Sequence, residues 1–342
     1  MYYTVGSYLL GVIVERKTGM PFLEYLKEKI LLKAGFSKNS YCIKTPEGYS
    51  WGDSGILCTL RDLHTFGQLI ANLGKCKGEQ LVNKEYMIKA TTKQVDTNLT
   101  GYPHFKTFGY GYHIWKCTDD GFAFHGMGDQ FLFYFPKQKF MFVCTADNQG
   151  NNFSKMMIFD AVSEFVKANH FTPIKDNEAA YKSLLEYSTT LELTYMKGMD
   201  TTSYEKSINN VTYICDKNPS DIKYVKFSFY GDTGFMEYEN KQGKKVLKYG
   251  MCKNIFTLFP EEDYFDTTVG IPEKGHKYPC AISAAWVEEQ KLCIRVQSID
   301  KHLGGLYIIA SFKDDDICIE LSSNTNCFFN EYSGFINGKN QA

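Results

Sequence analysis

Arginine is almost missing from this chain: Arg16, Arg61 and Arg295 are the only ones, and lysine carries the rest of the positive charge. With 38 basic residues against 39 acidic ones the net charge is −1. Neither a nucleic-acid partner nor attraction to an anionic membrane surface is expected from such a balance. No apolar run reaches transmembrane length, so no transmembrane segment is expected. The N-terminus lacks a basic leader, a long apolar core and a cleavage site, which predicts a cytoplasmic protein if Met1 is the true start. Cys-x-x-Cys is absent too. Eleven cysteines are scattered singly from Cys42 to Cys327, an odd count that predicts free thiols in a reducing compartment rather than a disulfide framework. The seven histidines show no metal-ligand spacing, and no cofactor or metal is expected. Internal repeats and low-complexity tracts are also missing.

What is present is 342 residues, enough for two domains. In the first stretch, Leu9, Leu10, Val12, Ile13 and Val14 predict an apolar helix face, with Glu15, Arg16 and Lys17 turned to water. Gly19 ends that helix and Pro21 starts a second one, in which Phe22, Leu23, Tyr25, Leu26 and Ile30 repeat at helical spacing. Thr59 and Asp62 form a variant capping box ahead of Leu60, Leu63, Phe66, Leu69, Ile70 and Leu73; Gly74 closes that helix and Asn83 caps a short one through Ala90. From Phe108 the pattern turns to strands: Tyr110 to Trp115, Phe122 to His125, Phe131 to Phe135 and Phe140 to Thr145, then a helix from Phe153 to Ala168.

A linker is expected at 171–176, around Thr172-Pro173. A helix over Glu178 to Tyr187 precedes a long series of strands, beginning with Leu191 to Met196 and Val211 to Cys215 and ending with Gly305 to Phe312 and Ile317 to Leu321. Short alternating strands between turn signals predict a small barrel or sandwich. The fold class is therefore α+β: an antiparallel sheet flanked by helices over 1–170, then a β-rich domain over 177–342.

Tyr2, Thr4, Leu9-Leu10-Gly11, Glu15 and Thr18-Gly19, followed by Gly55, Thr59 and Arg61-Asp62-Leu63, resemble in order the motifs of the serine β-lactamase-like family. That family includes class C β-lactamases, penicillin-binding carboxypeptidases and related esterases. Tyr2 falls at the tyrosine of the family's Tyr-x-Asn and Thr4 at its asparagine, although threonine cannot supply both the carboxamide donor and acceptor. His125-Gly126-Met127-Gly128 resembles the strand that forms the far wall of the cleft, with Met127 standing where the family has glycine. The resemblance implies acyl transfer through a serine ester on a β-lactam, a D-amino-acid peptide or a small ester. It gives Tyr2 and His125 catalytic parts and Thr4, Gly126, Met127, Gly128 and Ser54 substrate-binding parts. The β-rich half resembles the lipocalin-like domains often joined to such hydrolases.

The family's nucleophile is not found. Ser-x-x-Lys, which puts hydroxyl and ammonium one helical turn apart, occurs only as Ser203/Lys206, Ser220/Lys223 and Ser298/Lys301. All three follow Tyr2, whereas the family places the pair before its tyrosine. The chain is thus expected to be the latter part of a hydrolase domain, with an N-terminal segment missing, and inactive as it stands. Two alternatives stay open. One is a non-catalytic binding protein using the degenerate cleft or the β domain. The other is an esterase using Ser50, which sits in Gly48-Tyr49-Ser50-Trp51-Gly52 without the strand and helix that a nucleophile elbow requires.

Overall fold

A computed structural model describes residues 4–97, 108–149, 152–169, 175–262, 275–299, 301, 304–324, 329 and 332–341. The chain divides into two compact units, Met1–Lys175 and Asp176–Ala342.

The first unit opens on helix α1, Thr4–Thr18, which Gly19 ends at φ +69°. Its packing differs from the expectation. Val5, Leu9, Leu10 and Ile13 are exposed, and only Gly11 is buried. The helix is apolar on nearly every side, so periodicity could not tell which side packs; the buried side is the one that carries Gly11, which faces Gly52 and Phe22. Helix α2, Phe22–Leu26, starts after Pro21 and runs on through a π-turn, Lys27–Leu31. It buries Leu23 and Leu31 against Phe36 and Cys42.

Helix α3, Leu60–Ala71, carries the anticipated box: Asp62 N–H donates to Thr59 Oγ1, and the Asp62 carboxylate accepts from Thr59 N–H. Helix α4, Lys84–Thr91, is capped by Asn83 Oδ1, which accepts from Tyr86 N–H at 2.9 Å. Asn83→Ala is expected to cost about 1 kcal/mol, measured by urea unfolding.

Four strands form the sheet in sequence order: β1 Trp115–Lys116, β2 Phe122–Gly126, β3 Gln130–Phe135 and β4 Phe140–Cys144. The strand expected over Tyr110 to Trp115 shrinks to β1. Gly111 N–H bonds back to Ile114 O and His113 takes φ +57°, so the chain turns there instead of extending. Alternate residues of β3 serve opposite layers. Leu132, with Met141 of β4, meets α3 at Gly67, where a Cβ would come within 2.7 Å of the leucine. Phe131, Phe133 and Phe135 meet helix α5, Asn152–Ala168, through Phe159, Val162 and Val166.

In the second unit, helices α6, Glu178–Thr189, and α7, Glu205–Ile208, precede ten strands. They are β5 Thr212–Cys215, β6 Tyr224–Tyr230, β7 Thr233–Asn240, β8 Gly243–Met251 and β9 Ile255–Glu262. The rest are β10 Lys277–Glu288, β11 Lys291–Ser298, β12 Gly305–Lys313, β13 Asp316–Ser323 and β14 Gly334–Asn340. Neighbours pair antiparallel, β14 joins β5 to β13, and β8 meets β10 in a short parallel contact, Gly250↔Ser283 and Met251↔Ala284. The result is a closed barrel. Inward positions alternate with outward ones, and large rings fill the inside, among them Phe227, Phe229, Tyr249, Trp286 and Phe312. The expected strand Leu191 to Met196 does not form. That segment lies along the barrel, where Met196 N–H donates to Ser283 Oγ and Arg295 donates to Thr194 O. The ten described cysteines form no disulfide with one another.

Candidate active site

The turn between β2 and β3 is the most constructed part of the first unit. His125 ends an apolar strand, half-buried, with its ring 4.7 Å from that of Phe131. Gly126 pairs with Gln130 across the hairpin. Met127 is exposed at the tip, and Gly128 and Asp129 both take left-handed backbone, φ +71° and +68°. Glycine suits the first of these because no Cβ resists that conformation.

Gln130 holds the turn from beneath. Its Nε2 donates to the carbonyls of Met127, Gly128 and Ala146, and its Oε1 accepts from Ala146 N–H at 3.3 Å. Asp129 is fully buried, and its Oδ2 accepts from Asn148 Nδ2 at 3.2 Å and from the Ser154 hydroxyl of α5. Turn, strand exit and helix are thereby tied into one block. Sequence reasoning passed over Asp129 and Gln130, although an acidic residue directly after Gly128 was a legible turn signal.

Thr4 opens α1 and is exposed, and Ser54 is exposed in the tight turn Trp51–Gly55. Tyr2 lies outside the described residues. Glu15 supplies a link between α1 and the loop below it: its Oε1 accepts from Phe22 N–H at 2.8 Å and Ser50 N–H at 3.1 Å. One carboxylate thus positions both the start of α2 and the Gly48–Gly52 loop.

Ser50 is 2% exposed and lies in a hairpin in which it bridges Lys44. No helix follows it directly, since α3 begins at Leu60. Its neighbour Cys42 is pushed up to about 11, chiefly by burial, so that thiol stays protonated and unreactive. The Ser-x-x-Lys pairs fall in the barrel unit. Ser203, ahead of α7, donates its hydroxyl to Glu289 at 2.5 Å, and Ser298 ends β11. Among the described residues no cluster of His, Cys, Asp and Glu could hold a metal ion, and no helix is long and apolar enough to cross a membrane.

A sequence profile of β-lactamases matches residues 1–166. Over these residues, just under half of its length, the chain is similar to the serine β-lactamase-like family. The β-lactamase-like segment is 23% identical over 133 residues to the 6-aminohexanoate-dimer hydrolase of Paenarthrobacter ureafaciens, covering 36% of this chain and 34% of that protein. The chain therefore spans about a third of the length of this curated relative. A β-lactamase from Mycobacterium bovis superposes with a TM-score of 0.40 at 20% identity, over 50% of this chain and 65% of that one. A fatty acid binding protein of Schistosoma mansoni, solved with arachidonic acid, superposes with a TM-score of 0.28 at 11% identity, over 41% of this chain and all of that one.

Proposed function

We propose that residues 1–170 are the latter part of a serine acyl-transfer domain and that the chain of 342 residues does not itself carry out the reaction. One observation carries this reading: residues 1–202 contain no Ser-x-x-Lys, while the motifs that follow it in the family run in order from Tyr2 to Leu63. Acyl transfer needs a hydroxyl nucleophile, a base beside it and N–H donors for the oxyanion. In this reading Tyr2 relays the proton, and the turn His125–Gly128, with Thr4 and Ser54, walls the cleft. The substrate is a β-lactam, a D-amino-acid peptide or a small ester or amide, and the 342 residues supply no nucleophile and lysine of the family's kind in the first unit. The exposed stripe Val5, Leu9 and Ile13 on α1, at 47%, 52% and 54% exposure, supports it. Apolar area left wet forgoes roughly 25 cal/mol per Å2, and such a stripe marks an unfilled contact. Burial of Ser50 speaks against its use as a nucleophile.

The test is intact-mass analysis of the purified chain after incubation with a fluorescent penicillin and with a fluorophosphonate. No adduct is expected from either. A stoichiometric adduct on any serine would overturn the reading, and its position would name the true nucleophile.

A further inference from the structure

The sheet of the first unit ends differently at its two edges. At one edge β1 is only two residues long, and Tyr110 covers it through isolated bridges to Trp115 and to Val95. A short, covered edge offers little template to another chain. At the other edge stands β4, Phe140–Cys144, whose one strand neighbour among the described residues is β3. A strand with one neighbour turns half of its backbone N–H and C=O groups outward. Edge strands are usually blunted by a lysine, a proline or a bulge. The sequence Phe-Met-Phe-Val-Cys has no charge and no proline, and its pairing with β3 runs without a register shift.

Helix α5 continues this edge on one face of the sheet. Phe140 and Phe165 bring the two elements together, with ring centroids 5.2 Å apart. Ile158, Ala161 and Phe165, at i, i+3 and i+7, share the flank of α5 that lies towards β4. Ile158 is half-buried against the sheet, Ala161 is exposed and Phe165 is 48% exposed; Met157, one turn before Ala161, is 70% exposed. The residues that meet β3 are different ones, Phe159, Val162 and Val166. The apolar surface of the helix therefore runs on past its contact with the sheet.

An open edge accepts an extended strand, and β4 is complementary to itself. Set antiparallel about Phe142, it opposes Phe140 to the partner's Cys144 and Met141 to the partner's Val143, so that every cross-strand pair is apolar. The flanking charges agree. Lys139 stands just before the strand and Asp147 shortly after it. Antiparallel pairing brings the lysine of each copy towards the aspartate of the other, whereas parallel pairing would set lysine beside lysine. We propose that β4 is a dimerisation edge. Two copies of this chain pair along β4 about a two-fold axis, which fuses two four-stranded sheets into one of eight strands. Ile158, Ala161 and Phe165 of each α5 then pack against the same flank of the other, and the small side chain of Ala161 lets the helices approach. Such a contact uses one patch twice and closes after two copies. It lies in the first unit alone and does not rest on the acyl-transfer reading.

The test is sedimentation velocity of the full chain from about 1 μM to about 100 μM, with amide hydrogen exchange read by mass spectrometry over the same range. A species of twice the 39.2 kDa chain mass is expected at the upper end. Amides of Phe140–Cys144 are expected to gain protection as it forms, while those of β1 do not change. Phe165→Glu is expected to weaken association at least about tenfold, with an unchanged far-ultraviolet circular dichroism spectrum. A monomer throughout, a dimer whose β4 amides exchange equally fast at every concentration, or undiminished association of folded Phe165→Glu each overturns the proposal. Should that variant fail to fold, the concentration dependence of exchange in the native chain still decides.

Discussion

Trp286→Ala is expected to be the most damaging single truncation in the barrel, at about 4 kcal/mol. Trp286 is 0% exposed. Its ring lies 5.7 Å from Phe229 and 5.9 Å from Phe312, and Phe312 in turn touches Tyr213 and Phe227. The indole Nε1 donates to Glu205 Oε2 at 3.3 Å, which ties α7 to the barrel. The backbone is committed as well, because Trp286 and Met199 exchange hydrogen bonds in both directions. Removing the ring opens a cavity among rings that cannot all move in to close it, since each is carried by a paired strand. For a unit of this size the loss corresponds to a drop of roughly 10 °C in melting temperature. Thermal unfolding followed by near-ultraviolet circular dichroism checks it. Phe256→Ala is the control: that ring is 68% exposed on the outer wall, and a change within about 0.5 kcal/mol is expected.

Such contrasts show which parts of the molecule are written locally. Strand β6 alternates strictly in sequence, and its apolar positions Val225, Phe227 and Phe229 are the buried ones. The caps of α3 and α4 were equally legible, because a cap is decided by residues three apart. Strand β14 was missed. Its sequence, Gly334-Phe335-Ile336-Asn337-Gly338-Lys339-Asn340, has little intrinsic strand preference, and it is a strand because β5 and β13 offer it two open edges at once. Leu191 to Met196 errs the other way, with strand-like composition and no free edge to join. The buried carboxylate of Glu261 on β9 was invisible for a third reason. Its hydrogen-bond donors, Tyr238 and Asn240, come from β7, so only the folded barrel brings them to β9. In the first unit the motifs around Tyr2, Glu15 and His125 could be read, but the anchoring of the His125 turn by Gln130 and Asp129 depends on Ala146, Asn148 and Ser154, which arrive from beyond β4.

Asp62→Ala is expected to be the counterpart in the first unit, costing about 3 kcal/mol at neutral pH. The side chain is 4% exposed. Its Oδ1 accepts from Ser37 N–H at 2.6 Å, and its Oδ2 accepts from Thr59 N–H at 2.9 Å and Thr59 Oγ1 at 2.8 Å. Alanine removes all three acceptor contacts and strands two backbone donors in a half-dry site, besides undoing the cap of the helix that packs on the sheet. Burial alone would raise the carboxyl pKa, but the hydrogen bonds from Thr59 and Ser37 outweigh it and hold the group below its ordinary range. The sign of the pH dependence follows. A folded-state pKa below the unfolded value of about 3.9 means the stabilisation is fully present above pH 4 or so, and is lost as the pH falls through the folded-state value. The gap in stability between parent and Asp62→Ala should therefore be constant from pH 7 down to about 5 and narrow as the acid limb is entered. Asp62→Asn, which keeps one acceptor oxygen, should fall between them. A gap independent of pH down to 3 would mean that Asp62 acts by shape alone. A narrowing gap would show that the charge on this carboxylate is what joins Ser37, Thr59 and α3 into one corner of the unit.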